Sequence, residues 1–327
     1  MNISVHIEEW ELVQPFRISG YEWTRLRGIV VQLAQSGFIG RGEAQGVYYL
    51  DEDADSIFAQ VHEAAAEIRK GISREDLQEL LPAGGARNAI DCAMWDLECK
   101  KSGKTIWELT DIDPKPVTTV FTIGLESTPE AMASKAAAAA DAPVLKIKLD
   151  GHQPYEKLAA IRAARPDAVL VVDANQGWDF ELLKEVIPKC MGLDLDLGMI
   201  EQPLPRGGDD VLEGFNSPII LAGDESCLHT GELEIAARRY DMINIKLDKT
   251  GGLTEALKLA FAAKEKGCQL MVGCMGGSSL AMAPAFVVAQ LCDFVDVDGP
   301  LLLKYDHPLG LTYNKGIVNV FDSSFWG

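Results

Sequence analysis

The run Val144-Leu-Lys-Ile-Lys-Leu149 decides how the rest of the chain is read. Apolar residues alternate with two lysines, so as a strand it turns Lys146 and Lys148 to one side, about 7 Å apart. Like charges that close disfavour each other's charged form unless carboxylates or a bound anion neutralise them. One of the pair can then have a depressed pKa and serve as a base near neutrality. An edge strand carrying solvated lysines is the competing reading of this run alone, and the residues beyond Leu149 separate the two.

Around this run, beyond the proline-rich stretch Asp111-Ile-Asp-Pro-Lys-Pro116, short apolar runs alternate with helical segments. The runs are Val117 to Ile123, Val144 to Leu149, Ala168 to Val172, Gly198 to Ile200, Ile219 to Ala222, Met242 to Leu247, Gln269 to Val272 and Asp293 to Val297. Helices lie between them, such as 129–140, opened by Thr128 and Pro129, and 253–266, closed by Gly267. Eight runs spaced about 20–30 residues apart suit a (β/α)₈-type barrel or a doubly wound sheet. No GxGxxG or Walker motif follows the first run, which counts against a nucleotide-binding sheet.

Before the prolines the pattern is different. Ile3 to Val13, Gly28 to Leu33 and Phe38 to Glu43 read as antiparallel strands with a turn at Gln35-Ser-Gly37. Two amphipathic helices are predicted at 53–70 and 86–100. Polar and aromatic loops are expected at Ser19-Gly-Tyr-Glu-Trp-Thr24 and Gly46-Val-Tyr-Tyr-Leu50. The expected organisation is an α+β unit over 1–114, a barrel unit over 115–300, and a segment 301–327 that is too short for another βα unit and returns onto the first.

Composition narrows the function classes. With 47% hydrophobic and 24% charged residues in 327, the chain is globular. A net charge of −19 argues against nucleic acid or an anionic membrane as partner. The seven cysteines contain no Cys-x-x-Cys pair and the five histidines are isolated, so neither a disulfide framework nor a zinc site is expected. Met1 to Trp10 lacks a basic and apolar leader pattern, and no apolar run reaches membrane-spanning length. The expectation is a cytoplasmic protein with a small-molecule substrate, and assembly into a homo-oligomer stays open.

In a barrel the active site forms at the C-terminal strand ends. Those ends carry Lys146 and Lys148, Asp173 with Asn175, Glu201, Asp224 with Glu225, Lys246, and Asp296 with Asp298. Asp173, Glu201 and Asp224 come from successive strands. Three converging carboxylates repel unless a cation sits between them, and an all-oxygen set with room for water suits Mg²⁺. Lys148 and Lys246 then face each other across the mouth, where two bases can remove a proton from one face of a carbon and return it to the other. Lys249, in the loop before Gly251-Gly252, is read as structural.

These residues, as Lys146-Ile-Lys148, Val172-Asp-Ala-Asn175, Ile200-Glu-Gln-Pro-Leu-Pro205, Ala222-Gly-Asp-Glu-Ser226, Ile243-Asn-Ile-Lys-Leu-Asp-Lys-Thr-Gly-Gly252 and Asp296-Val-Asp298, resemble the enolase superfamily. Within it they resemble the muconate-lactonising subgroup and its dipeptide epimerases, typified by those acting on alanyl-glutamate. The resemblance spans nearly the whole chain. It implies a modified (β/α)₈ barrel with an N-terminal α+β cap completed by the C-terminal segment. It implies Asp173, Glu201 and Asp224 as Mg²⁺ ligands, Lys148 and Lys246 as the acid/base pair, and Lys146 as the electrostatic partner of Lys148. The family's use of a lysine base and Mg²⁺ beside an enediolate is a family property, not a reading of spacing.

The implied reaction inverts the Cα of the second residue of an L,L-dipeptide by 1,1-proton transfer, with recycling of cell-wall alanyl-glutamate peptides as the implied setting. Asp296 and Asp298 would bind the dipeptide's α-ammonium. N-acylamino acid racemases, cycloisomerases and o-succinylbenzoate synthases of the same subgroup are the alternative; their substrates carry no ammonium, so an acidic pair would be desolvated without return. A non-catalytic barrel would lack a base or a ligand, and none is missing. Where alanyl-glutamate epimerases present an arginine on the first cap loop, this chain has Trp23. Trp23, Tyr21 and Tyr48 are therefore expected to form an aromatic pocket, with Glu22 able to select a cationic side chain. Gly273-Cys-Met-Gly-Gly-Ser278 leaves space near the substrate.

Overall fold

The computed structural model describes residues 1–192, 195 and 197–327. Strands β1 (Asn2–Ile18), β2 (Tyr21–Gln35) and β3 (Phe38–Ala44) form an antiparallel meander. The stretch 19–24, expected to be a loop, is a hairpin tip. Ser19-Gly20 makes the turn, with Gly20 at φ 80°, and Tyr21, Glu22 and Trp23 pair with Ile18, Arg17 and Phe16. Aromatic residues suit a half-buried strand as well as a loop, and here cross-strand pairing decides.

Helices α1 (Ala54–Arg69), α2 (Arg74–Leu80) and α3 (Gly85–Ser102) pack with this sheet, and α4 (Ile106–Thr110) follows. Helix α1 starts where Asp53 and Ser56 form a reciprocal capping box. Helix α3 lies directly on the backbone of β3. A Cβ on Gly40 would meet Ala93 O at 2.2 Å and one on Gly42 would meet Ala89 O at 2.1 Å, so only glycine permits the approach.

The expected run 117–123 is two short strands, β4 (Val117–Thr118) and β5 (Phe121–Ile123). Between them Val120 N–H donates to Val295 O at 2.8 Å, while Val117 and Thr118 turn aside to pair with a C-terminal hairpin. The barrel continues as α5 (Pro129–Ala138), β6 (Val144–Lys148), α6 (Pro154–Ala164), β7 (Val169–Asp173), α7 (Phe180–Gly192), β8 (Leu197–Glu201), β9 (Leu221–Gly223), α8 (Leu233–Arg239), β10 (Met242–Lys246), α9 (Leu247–Thr250), α10 (Leu253–Glu265), β11 (Gln269–Gly273), α11 (Ser279–Ala289) and β12 (Phe294–Val295). Strands β5 to β12 are hydrogen-bonded in sequence order into one parallel, eight-stranded sheet. The Val120–Val295 bond brings its first and last strands together. Only a 3₁₀ turn, Asp210–Leu212, is described between β8 and β9, and another, Gly299–Leu302, follows β12.

Period-two alternation places the site. One side of the strands, including Leu145, Ile147, Leu170, Val172 and Ile200, packs against α6 and α7; the same side of β10 and β11 packs against α10 and α11. The other side forms a separate apolar layer of Val171, Met199, Ala222, Met242 and Met271. Two residues further along the same faces come Asp173, Glu201, Asp224 and Gly273, with Lys146 and Lys148 on β6. The charged layer therefore stands on an apolar plug.

Strands β13 (Tyr313–Asn314) and β14 (Ile317–Val318) pair with β4. The last residues lie against the first unit: Trp326 Nε1 donates to Arg41 O at 3.0 Å, Gly327 N to Asp96 Oδ1 at 2.9 Å, and Ile106 N to Gly327 O at 2.7 Å. Barrel and meander also meet through carboxylates. Asp248 Oδ1 accepts from Gln45 N and Gly46 N at 3.0 Å each, and buried Glu43 accepts from Ser278 N, Ser278 Oγ and Gln45 Nε2.

Burial pushes the Glu43 carboxyl from 4.5 to about 8, against the pull of the Ser278 bonds. A raised folded-state pKa contributes stability that is complete below about pH 4.5 and is lost as pH rises through about 8. Glu43→Gln removes that dependence. Its unfolding midpoint, compared with the parent chain by thermal melts, should improve between pH 5 and pH 9 by the equivalent of roughly a few kcal/mol; a constant difference across that range would show that Glu43 ionises freely in the folded state.

Candidate active site

Four lysines and their carboxylates interlock at the mouth of the barrel. Lys146, 1% exposed, places Nζ 2.8 Å from Glu201 Oε2, 2.9 Å from Asp296 Oδ2 and 3.2 Å from Asp173 Oδ2. Lys148 Nζ lies 2.6 Å from Asp173 Oδ2 on the neighbouring strand. Across the sheet Lys246 Nζ lies 2.6 Å from Asp224 Oδ2, and Lys249 Nζ 2.7 Å from Asp224 Oδ1. Lys249 also donates to the carbonyls of Asp224, Cys227 and Asn244, which fits its reading as structural.

Burial and charge act in opposite directions here. Burial disfavours the Lys146 ammonium, yet Asp296, Glu201 and Asp173 outweigh it and hold its pKa well above the ordinary value. The depressed pKa expected from a like-charged pair is therefore not found at Lys146; three carboxylates dominate one neighbouring lysine. Lys246 is raised in the same way, burial being overcome by Asp224 and Glu201. Burial would raise Asp173, but Lys148 and Lys146 hold it down at about 2. Asp224 is likewise held low by Lys246 and Lys249, whereas burial and the charge of Asp173 leave Glu201 raised.

The strand-end backbone fixes these groups. Gln202, at φ 37°, places Nε2 within hydrogen-bond distance of Leu204 O, Ser226 Oγ and Tyr240 Oη, and its Oε1 accepts from Asp224 N at 2.9 Å and Ser226 N at 3.1 Å. It thus ties the end of β8 to the end of β9. Asn244 Nδ2 donates to Glu201 Oε1 at 2.7 Å. A Cβ on Gly273 would stand 2.9 Å from Lys246 Cε, so the glycine ending β11 makes room for that lysine. Neither Gln202 nor Asn244 was singled out from sequence, although Gln202 follows Glu201 directly and Asn244 precedes Lys246 by one strand period.

The donor set fits a divalent cation. Asp173, Glu201 and Asp224 are fully buried carboxylates on adjacent strands, the all-oxygen chemistry of Mg²⁺. Around them Glu225, Asp296 and Asp298 are buried too, giving six carboxyls against four lysines. Among the described residues Glu225 Oε2 has no hydrogen-bond partner, and Asp296 Oδ1 has none beyond the neighbouring Asp298 carboxyl. Burial together with neighbouring acids pushes Glu225 and Asp298 to about 8, as expected of a cluster short of positive charge.

A cleft of about 890 Å³, part of it open to solvent, lies between barrel and cap and is lined by Lys146, Lys148, Lys246, Asp296 and Asp298 on its polar side. Asp298 Oδ2 accepts from Thr122 N at 2.7 Å. The cap side is apolar: Phe16, Ile18, Trp23, Leu26 and Tyr48. Trp23 stacks on Tyr21 with centroids 5.6 Å apart and meets Tyr48 edge-on at 5.2 Å. Tyr21, 45% exposed, backs this wall. Glu22 is not brought to the cleft, since strand alternation turns it to Arg17 at 2.9 Å. Arg27, which was not singled out from sequence, does line the cleft. It pairs with Asp55 at 2.8 Å and Glu9 at 2.9 Å, and all three side chains are exposed.

Comparison with known proteins places the chain. Residues 1–110 match the mandelate racemase/muconate lactonizing enzyme N-terminal domain, and residues 130–314 match the enolase C-terminal domain-like family. The L-Ala-D/L-Glu epimerase of Escherichia coli (strain K12) is 42% identical, the match covering 97% of this chain and 99% of the relative. An N-acetyl-D-glutamate racemase of a Pseudoalteromonas species is 40% identical over 91% of this chain and 95% of its own length. An enolase family member from Agrobacterium tumefaciens with homology to dipeptide epimerases, solved with sodium, L-Ala-L-Glu and an ordered loop, is 39% identical; it superposes with a TM-score of 0.95 over 99% of both chains. No described helix is long and apolar enough to cross a membrane.

Proposed function

Because this chain belongs to the mandelate racemase/muconate lactonizing enzyme family of the enolase superfamily, we propose that it is an isomerase, a Mg²⁺-dependent dipeptide epimerase acting at the Cα of the second residue. The observation that carries this reading is the placement of two lysines, Lys148 on β6 and Lys246 on β10, on either side of the Asp173–Glu201–Asp224 carboxylates within one cleft. A substrate carbon held between them meets an amine on each face. In this reading the barrel residues 115–300 supply the reacting groups, and residues 1–114 with 301–327 supply the specificity surface.

Each side chain then has a task. Asp296 and Asp298 receive the α-ammonium of the first residue and fix the peptide's direction. One lysine accepts the Cα proton while the other, as ammonium, donates to the opposite face; the net change is inversion with both lysines exchanging roles. Lys146 stays charged, because three carboxylates hold its proton, and stabilises the negative charge that develops on the substrate carboxylate. A Mg²⁺ held by Asp173, Glu201 and Asp224 would supply further positive charge to that carboxylate and draw its ligands' charge away from Lys148 and Lys246. The apolar plug beneath and the aromatic wall above exclude water from the exchange.

For the second residue the cleft offers a Trp23 wall and the Arg27 guanidinium, whose exposed ion pairs cost little to exchange. This favours a glutamate-like or an apolar side chain, and cell-wall alanyl-glutamate peptides are the proposed source. A cationic side chain is disfavoured, since Glu22 is engaged with Arg17 outside the cleft. The 40% identity to an N-acetyl-D-glutamate racemase favours a second reading, racemisation of an N-acylated amino acid, a substrate that brings no ammonium to the buried acidic pair.

Deuterium uptake separates these readings. Incubation of L-Ala-L-Glu with the protein and Mg²⁺ in D₂O should add one mass unit at Cα, an uptake abolished by chelation. Exchange of N-acetylglutamate but not of free-amine dipeptides would move the assignment to the racemase. Lys148→Ala and Lys246→Ala should each lower epimerisation by about 10²–10⁴-fold with circular dichroism unchanged; full epimerisation in both would remove the two-base mechanism. Arg27→Met should lower kcat/KM for L-Ala-L-Glu by about tenfold or more while leaving L-Ala-L-Leu nearly unchanged. Equal losses on both would deny Arg27 a role in side-chain selection.

A further inference from the structure

The floor of the cleft holds a second cluster of metal-ligating atoms, separate from the Asp173–Glu201–Asp224 set. Cys274, just beyond β11, places Sγ within 4.8 Å of a carboxylate oxygen from each of Asp296 and Asp298, and the three oxygen and sulfur atoms are mutually within that distance. All three residues line the cleft, and both aspartates are nearly fully buried. Asp296 uses Oδ2 for Lys146, and among the described residues its equally buried Oδ1 has no hydrogen-bond partner beyond the neighbouring Asp298 carboxyl. Asp298 Oδ2 is anchored by Thr122 N. A buried carboxylate oxygen whose only neighbours are a second carboxyl and a thiol is a place a cation can fill.

We propose that Cys274, Asp296 and Asp298 form a second cation site, for a thiophilic divalent ion such as Zn²⁺, which excludes the substrate ammonium by occupying its place. Donor chemistry keeps the two sites distinct. Mg²⁺ takes oxygen ligands and has no use for a thiol, whereas sulfur selects zinc or cadmium. A tetrahedral ion at ordinary Zn–S and Zn–O lengths sets its ligand atoms roughly 3.3–3.8 Å apart, so side-chain rotations on the order of 1 Å complete the set, with water in the fourth position. Binding releases to solvent the Cys274 proton and the proton held between Asp296 and Asp298, leaving a thiolate and two carboxylates on the metal, with no redox change. The site would make the enzyme sensitive to zinc under conditions in which Mg²⁺ is saturating.

The site's existence stands on this geometry, and only the exclusion of substrate rests on the epimerase reading. The full chain in excess Mg²⁺ is titrated with Cd²⁺ while its ultraviolet thiolate-to-metal absorption is followed. One equivalent should bind. Cys274→Ser should abolish the band, Asp298→Asn should weaken binding by about tenfold or more, and saturating L-Ala-L-Glu should displace the ion. In parallel, Zn²⁺ should protect Cys274 of the unmutated chain from alkylation, mapped by mass spectrometry, so the outcome does not depend on the variants folding. A band that survives Cys274→Ser, or alkylation of Cys274 indifferent to Zn²⁺, would overturn the site. Simultaneous binding of Cd²⁺ and dipeptide would overturn the exclusion, while deuterium exchange without Cd²⁺ tests the epimerase reading separately.

Discussion

A fully buried ammonium, Lys146 Nζ, held within 3.2 Å of carboxylates at the ends of three strands, is the interaction on which the rest of the site depends. Buried charges are tolerated only when paired, and removal of one partner from such a pair costs about 3–5 kcal/mol. Asp173, Glu201 and Asp296 can stand together in an apolar surround because Lys146 lies among them. Their arrangement leaves Lys148 beside Asp173 at one edge and Lys246 beside Asp224 at the other. The two lysines stand at opposed edges of the cluster because of how one buried charge is compensated.

The barrel geometry that makes this possible was largely legible in the chain. A strand's period of two put Lys146 and Lys148 on one side, and the same period along β7, β8 and β9 puts Asp173, Glu201 and Asp224 above Val171, Met199 and Ala222. The charged strand ends were visible because each follows a short apolar run. Less visible was what depends on long-range contact. Gln202 and Asn244 look like ordinary polar residues until the backbone amide of Asp224 and the carboxylate of Glu201 are placed against them. The split at 117–123 depends on a hydrogen bond to Val295, far along the chain.

The cap shows the same division. Its aromatic residues were recognised as a wall, and Trp23 and Tyr48 form one, but the assignment of 19–24 as a loop hid a rule that would have sorted them. Across the hairpin tip Trp23 pairs with Phe16 and Glu22 with Arg17, so Trp23 faces the cleft and Glu22 turns to Arg17. Further along, past the register shift in β1, Leu26 and Arg27 both line the cleft. Glu43, Gln45 and Gly46 tie the same region to Ser278 and Asp248 on the barrel, so the aromatic wall and the charged strand ends are held in one frame.

In the proposed reaction Lys148 and Lys246 address opposite faces of a single substrate carbon. The most direct measurement is a crystal structure of the protein with Mg²⁺ and a bound dipeptide, solved well enough to place both amines. Both Nζ atoms are expected about 3–3.5 Å from the Cα of the second residue, one on each side of it, with the α-ammonium at Asp296 and Asp298. Both amines on the same side, or a Cα beyond the reach of either, would contradict the two-base geometry.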